Sequence, residues 1–106
     1  MDTTEKIVFS YNWNNKLNCK AYTTFRLYNG KYQIGKTYQI FLKDQHLYNA
    51  VIEDIKVLKL DQVNSFIAYI DTGYSVEEFK NIVKKMYGTK AETSLFCLIL
   101  LKKIEK

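Results

Sequence analysis

Runs rich in β-branched and aromatic residues predict five β-strands. Such residues favour a pleated, half-buried surface, and the turn residues Asn29, Gly30 and Gly35 separate two of the runs. Residues 44–46 join two further runs as a hairpin, the second of which is long enough to bend. The predicted strands cover residues 6–9, 20–26, 37–43, 47–60 and 95–104.

Apolar residues at helical spacing predict three helices, over residues 11–17, 61–70 and 75–88. Asp61 is the expected N-cap of the second helix, which ends at the segment 71–74. Ser75 and Glu78 match the capping box of the third helix, and Gly88 ends it. The apolar stripe of this third helix consists of Val76, Phe79, Ile82, Val83 and Met86.

The order of these elements predicts an α+β fold in which a small mixed sheet curls into an open β-barrel. A chain of 106 residues has the usual size of one domain, so we expect a single domain over residues 1–106. Hydrophobic residues at 47% and charged residues at 25% are typical of globular proteins and exclude a disordered chain.

The charge balance favours a polyanionic partner. Sixteen Lys and Arg against eleven Asp and Glu leave a net charge of +5, with a pI near 9.1. This balance fits RNA binding and equally fits a lysine-rich face exposed to water. A composition rich in Lys, Asn, Tyr and Ile without Pro indicates an AT-rich genome of a phage or a bacterium. Phage virion proteins are therefore a second class of candidate partner.

Metal, cofactor and membrane functions lack the residues they need. Cys19 and Cys97 lie far apart and His46 is the only histidine, so we expect no metal site. The glycines open no Gly-rich phosphate loop, so no cofactor is expected. The longest apolar run, residues 94–101, is far shorter than the roughly 20 residues that span a bilayer. Without an apolar leader at its start, the chain is expected to be cytoplasmic.

The segment 20–26 concentrates the candidate chemistry. On a regular strand Lys20, Tyr22, Thr24 and Arg26 share one face, because side chains alternate. Arg26 has two interpretations, contact with a phosphate or carboxylate at a pocket rim, or pairing with an acidic residue of the strand at 47–60.

Taken together, these segments resemble the ASCH domains of the PUA-like superfamily, and among them the small bacterial N4-acetylcytidine amidohydrolases. The resemblance covers nearly the whole chain in order, spacing and length. It rests on residues 7–10, the Lys-x-x-x-Thr-x-Arg segment 20–26, Tyr-Gln-Ile-Gly at 32–35, Val-Glu-Glu-Phe at 76–79 and Met-Tyr-Gly at 86–88.

The resemblance implies a fold and a catalytic set. In these amidohydrolases a threonine is the nucleophile, a lysine activates it and a glutamate assists, which corresponds to Thr24, Lys20 and Glu78. The family lysine lies three residues before the threonine, where this chain has Ala21 and Lys20 comes one residue early. The resemblance further implies a substrate-binding pocket, with Arg26, Tyr22 and Trp13 as the contacting residues.

Each candidate also has a structural interpretation. Thr24 suits a strand, Lys20 suits a solvated surface, and Glu78 is expected at the third position of a capping box for helix stability alone. Tyr28 and Tyr32, like Tyr22 and Trp13, are either rings that stack on a base or fillers of core and rim.

Three functions follow from these alternatives. The first is hydrolysis of an N4-acylcytidine amide in RNA or a modified nucleoside. The second is a non-catalytic nucleic-acid-binding module. The third is an accessory or structural protein of a phage particle.

Overall fold

The computed structural model describes residues 5–104, without the side chains of residues 13 and 14. The strands are β1 Glu5–Phe9, β2 Ala21–Leu27, β3 Thr37–Leu42, β4 Gln45–Lys59 and β5 Leu95–Lys103. The α-helices are α1 Ser65–Thr72 and α2 Val76–Tyr87, and short 3-10 helices cover Trp13–Asn18, Leu60–Gln62 and Gly88–Glu92. All five predicted strands are confirmed, with ends shifted by one or two residues.

The strands form one mixed sheet in the order β1-β3-β4-β5-β2. β1 runs parallel to β3, and the remaining neighbours are antiparallel. A register shift between Ile52 and Asp54 bends the long strand β4. The sheet curls into an open half-barrel, so the predicted α+β class is confirmed, while the PUA-like assignment stays a prediction.

The curl brings the two edge strands, β1 and β2, towards each other. Arg26 of β2 donates a hydrogen bond from Nη2 to the carbonyl oxygen of Val8 in β1, at 2.9 Å. The rings of Phe9 and Tyr22 meet edge to face, with centroids 6.1 Å apart. The half-barrel therefore has a seam along which side chains, rather than ladder hydrogen bonds, connect the edges.

The alternation of side chains along β5 divides the buried residues into two clusters. Ile99 and Leu101 belong to the cluster inside the half-barrel. Phe96 belongs to a second cluster beneath the helices, together with Phe79 and Val83 of α2. Each cluster buries large apolar side chains, whose removal from water is the main stabilising contribution to such a fold.

Phe25 positions α2 beside the sheet edge. Its ring stacks on Phe96 with centroids 4.7 Å apart and meets Phe79 of α2 edge to face at 5.1 Å. Aromatic pairs in these geometries contribute beyond the area they bury. Because Phe25 lies on the edge strand β2, this packing brings α2 close to the seam.

The predicted caps are confirmed for α2, whereas a different residue caps α1. Ser75 and Glu78 form the predicted capping box of α2, and Gly88 is its C-cap. The prediction that Asp61 caps the preceding helix is wrong, because Asp61 lies in the 3-10 helix Leu60–Gln62. The side chain of Asn64 accepts the hydrogen bond from Ile67 N and caps α1 instead.

Candidate functional site

A cavity of about 90 Å³ lies at the seam, between β1, β2 and the two α-helices. We call it the seam cavity. Phe9, Phe79, Ile82, Val83, Met86 and Tyr87 contribute apolar surface to it. Its principal polar lining residues are Lys16, Thr24, Arg26, Asp71 and Thr72. The seam cavity thus combines an apolar wall with a cluster of charged and hydroxyl groups, which is the usual make-up of a small-molecule site.

Lys16 and Asp71 form a buried ion pair in the seam cavity. Lys16 Nζ donates to Asp71 Oδ1 at 2.9 Å, and the two side chains are only 5% and 6% exposed. The same Oδ1 accepts a hydrogen bond from Thr23 Oγ1 at 3.0 Å. A buried charge is costly unless it is paired and hydrogen-bonded, and here both conditions are met.

The surroundings of Lys16 lower its pKa from the ordinary lysine value. The main cause is burial, which disfavours the ammonium form. Asp71 opposes this through its charge and its hydrogen bond, and the nearby Arg26 adds a smaller lowering effect. Lys16 therefore gives up its proton more readily than an exposed lysine.

Thr24 and Arg26 meet at the part of the seam cavity formed by β2. Arg26 Nε donates to Thr24 Oγ1 at 3.1 Å, while its Nη2 donates to Val8 O. The guanidinium also lies 4.7 Å from the centroid of the Phe9 ring, a cation–π contact. Arg26 is thereby held in one orientation, with its positive charge beside the threonine hydroxyl.

Thr24 and Arg26 lie on one face of β2, and Phe25 from the other face also lines the cavity. Tyr22 shares the face of Thr24 and Arg26 without lining the cavity, and its hydroxyl is hydrogen-bonded to that of Tyr48, with the two oxygens 2.8 Å apart. The hydroxyl of Tyr48 donates in turn to Leu17 O at 2.8 Å. This chain of hydrogen bonds ties the 3-10 helix that carries Lys16 to the sheet.

The structure leaves Lys20 and Glu78 outside the seam cavity. Lys20 is exposed and precedes β2, so the alternation that orients Thr24 does not set the direction of its side chain. Glu78 is exposed and accepts hydrogen bonds from Ser75 N and Ser75 Oγ, as a capping residue does. Neither is among the described residues that line the cavity.

The remaining predicted contacts fall in different places. Tyr22 is buried in the inner cluster and is not among the residues described as lining the seam cavity. Trp13 begins a 3-10 helix, and its side chain lies outside the described residues. Arg26 does line the cavity, and among the residues described it forms no ion pair with Glu53 or Asp54.

The predicted site residues did not include Lys16 and Asp71, the two charged residues that form the buried ion pair of this site. Nothing in the segment around Lys16 distinguishes it from the exposed lysines. Asp71 did carry a signal, because it lies four residues after Ile67 and so continues the apolar stripe of α1. An acidic residue on the buried face of a helix requires a partner, and the fold supplies Lys16.

The described residues contain no group of three His, Cys, Asp or Glu side chains that could hold a metal ion. Over the same range, no helix is long and apolar enough to cross a bilayer. No protein-family model, curated protein or solved structure matches the chain. The chemistry of the seam cavity is therefore the basis for assigning a function.

Proposed function

We propose that the chain is an amidohydrolase that removes a small acyl group from an N-acylated pyrimidine such as N4-acetylcytidine. Thr24 is the nucleophile, Lys16 is the base, and Asp71 holds Lys16 in place. The observation that supports this most strongly is that the buried Lys16–Asp71 pair and Thr24 line the same cavity. These are the group types of the amidohydrolases that the sequence resembles, with Lys16 and Asp71 in place of Lys20 and Glu78.

The first step is attack by Thr24 on the acyl carbonyl carbon. A hydroxyl is a weak nucleophile until a base removes its proton, and an amine with a lowered pKa is available as that base at lower pH than an ordinary lysine. Lys16 takes the proton as the bond from Oγ1 to carbon forms. The negative charge develops on the carbonyl oxygen of the substrate, and the guanidinium of Arg26, which lies beside Thr24 Oγ1, is the positive charge that stabilises it.

The remaining steps return every group to its starting state. The carbon–nitrogen bond of the amide breaks, and the Lys16 ammonium gives its proton to the departing amine nitrogen. Water then attacks the acyl-threonine ester while Lys16 takes one of its protons. The acid is released, and Thr24 recovers the proton from Lys16.

The size of the seam cavity supports a small acyl group. At about 90 Å³ it is well below the roughly 300–1,000 Å³ of pockets that enclose a drug-sized ligand. An acetyl group with its amide nitrogen fits within such a volume, whereas a whole nucleoside does not. The base and sugar of the substrate therefore extend out of the cavity.

A second candidate function is binding without catalysis, and one observation favours it. The 2.9 Å contact with Asp71 stabilises the ammonium form of Lys16, which is unable to accept a proton. In that case Lys16 and Arg26 would provide positive charge for an anionic group of RNA or a nucleotide. The two functions differ in whether substrate is consumed.

Incubation with N4-acetylcytidine, followed by chromatographic separation of cytidine, tests the proposal. We expect the wild-type chain to release cytidine and Thr24→Val to abolish release. Lys16→Met should also abolish it, whereas Lys20→Met and Glu78→Gln should leave turnover unchanged, since both residues lie outside the cavity. Circular dichroism of each variant separates loss of chemistry from loss of fold.

Two results would contradict the proposed hydrolase. One is the absence of cytidine from a folded wild-type chain, and the other is undiminished turnover by Thr24→Val. If the substrate binds and stays intact, binding without catalysis is the better description. If Lys20→Met lost turnover while Lys16→Met stayed fully active, the base would be Lys20, as the resemblance to the family implies.

A further inference from the structure

A second, larger cavity of about 410 Å³ lies where the loop after β2 faces the bent part of β4. We call it the tyrosine groove. Tyr28 and Tyr32 contribute aromatic surface to it, Ile34 and Val57 contribute exposed aliphatic surface, and Asn29 and Gln33 contribute amide groups. Flat rings beside amides are the groups with which proteins stack on a nucleobase and recognise its edge.

The loop that carries these residues is held in position. The buried hydroxyl of Tyr38 accepts a hydrogen bond from Gln33 N at 2.8 Å and donates to Lys31 O. Asn29 Oδ1 accepts from Lys31 N at 3.0 Å, which closes the turn that precedes Tyr32. A stacking surface that is already ordered loses little conformational entropy when a ligand binds.

The groove adjoins the seam cavity. Arg26, which lines the seam cavity, is paired directly with Cys97 across β2 and β5, and Cys97 lines the groove. Tyr28 follows Arg26 by two residues at the end of β2. The lining of the groove therefore begins next to that of the seam cavity, and none of the described residues belongs to both.

The charge around the groove fits a phosphate backbone. Lys31 Nζ lies over one face of the Tyr32 ring, 5.3 Å from its centroid, which leaves the other face for stacking. Arg26 adds a second positive charge in the neighbouring seam cavity, two residues before Tyr28, and the whole chain carries a net charge of +5. Single-stranded nucleic acids are bound by this combination of stacking rings and basic side chains.

We propose that the tyrosine groove binds an unpaired nucleobase of a single-stranded nucleic acid. Tyr28 and Tyr32 stack on the base, the amides of Asn29 and Gln33 hydrogen-bond to its edge, and Lys31 contacts a phosphate. In such a complex a neighbouring base extends its acylated amine into the seam cavity. This second statement rests on the proposed function, and it makes the substrate an acylated base within a strand rather than a free nucleoside.

Fluorescence anisotropy of a short labelled single-stranded oligonucleotide without acyl groups tests the groove independently of hydrolysis. We expect Tyr28→Leu and Tyr32→Leu to weaken binding by about 5- to 150-fold each, the usual effect of losing one stacking ring. Phe66→Leu is the matched control, because Phe66 is a strongly exposed ring of α1 that lines neither cavity. Lys31→Gln should weaken binding and reduce its salt dependence.

Unchanged affinity in both tyrosine variants, or no binding by the wild-type chain at low salt, would overturn the proposal. Competition by a free nucleoside as strong as that of the strand would overturn the assignment to a strand. Because the assay measures no turnover, a chain that binds the strand through Tyr28 and Tyr32 but hydrolyses nothing would contradict the proposed function alone.

Discussion

Lys16 Nζ lies 2.9 Å from Asp71 Oδ1, although 55 positions separate the two residues in the sequence. The contact joins the 3-10 helix Trp13–Asn18 to the last turn of α1 and closes one side of the seam cavity. Both charges are withdrawn from water, so each depends on the other for its stability in the fold. The pair therefore contributes to the chemistry of the site and to its construction.

Removing one partner of this ion pair should destabilise the fold strongly. We expect Lys16→Met to lower the free energy of unfolding by about 3–5 kcal/mol, because it leaves the Asp71 carboxylate buried without a counter-charge. The double variant Lys16→Met/Asp71→Leu should recover most of this loss. Urea unfolding measures all three chains.

The exposed pair Lys84–Glu92 provides the control for this comparison. Its side chains are 46% and 67% exposed, so Lys84→Met should cost less than about 1 kcal/mol. Equal losses from Lys16→Met and Lys84→Met would show that burial of the first pair has no energetic consequence.

The proposed hydrolysis should depend on pH through Lys16. Only the neutral amine accepts a proton, so kcat/KM should rise with pH and level off above the pKa of Lys16. That rise should be centred below 10.5, the ordinary lysine value, because burial lowers this pKa. Asp71→Asn removes a charge that raises the pKa, and should move the rise to lower pH. A rise centred above the ordinary value, or a shift to higher pH in Asp71→Asn, would exclude Lys16 as the base.

Alkaline pH should weaken the fold through a buried tyrosine, Tyr22, and a half-buried one, Tyr48. Burial raises the pKa of Tyr22 and of Tyr48 above the ordinary tyrosine value of 10.0. Above that value the unfolded chain loses these protons while the folded chain retains them, so stability present below it is lost as pH rises. The free energy of unfolding, measured with urea from about pH 8 to about pH 11, should therefore fall.

Two substitutions identify the source of this loss. Tyr22→Phe removes one of the buried hydroxyls and should make the decline with pH shallower, whereas Tyr28→Phe alters an exposed ring and should leave it unchanged. A decline of equal slope in Tyr22→Phe and in the wild-type chain would assign the alkaline loss to other groups.

Two substitutions test whether Asn64, rather than Asp61, is the N-cap of α1. Asn64→Ala should lower the free energy of unfolding by about 1 kcal/mol, because Ile67 N loses its hydrogen-bond acceptor. Asp61→Ala, at the cap position that the sequence indicated, should have a smaller effect since Asp61 lies outside α1. Chemical unfolding measures the loss of stability in both variants, and a larger loss from Asp61→Ala would contradict Asn64 as the cap of α1.

Most of the fold could be predicted because the signals that specify it are local. Alternation along β2 correctly placed Thr24 and Arg26 on one face, and the capping box of Ser75 and Glu78 correctly started α2. Alternation does not extend to Lys20, which lies just before β2. A strand fixes the direction of the side chains only for residues within it, so the direction of the Lys20 side chain could not be predicted from the alternation of β2.

The amino-acid sequence alone determined which segments become strands and helices, since spacing, propensity and caps act over a few neighbouring residues. Only the tertiary structure decided which charged groups enter the seam cavity. Lys16 and Asp71 come together because the sheet curls and α1 packs against the 3-10 helix, and their attraction becomes strong only once burial has removed water from both. Helical periodicity places Asp71 on the buried face of α1, but no pattern in the chain identifies Lys16 as its partner.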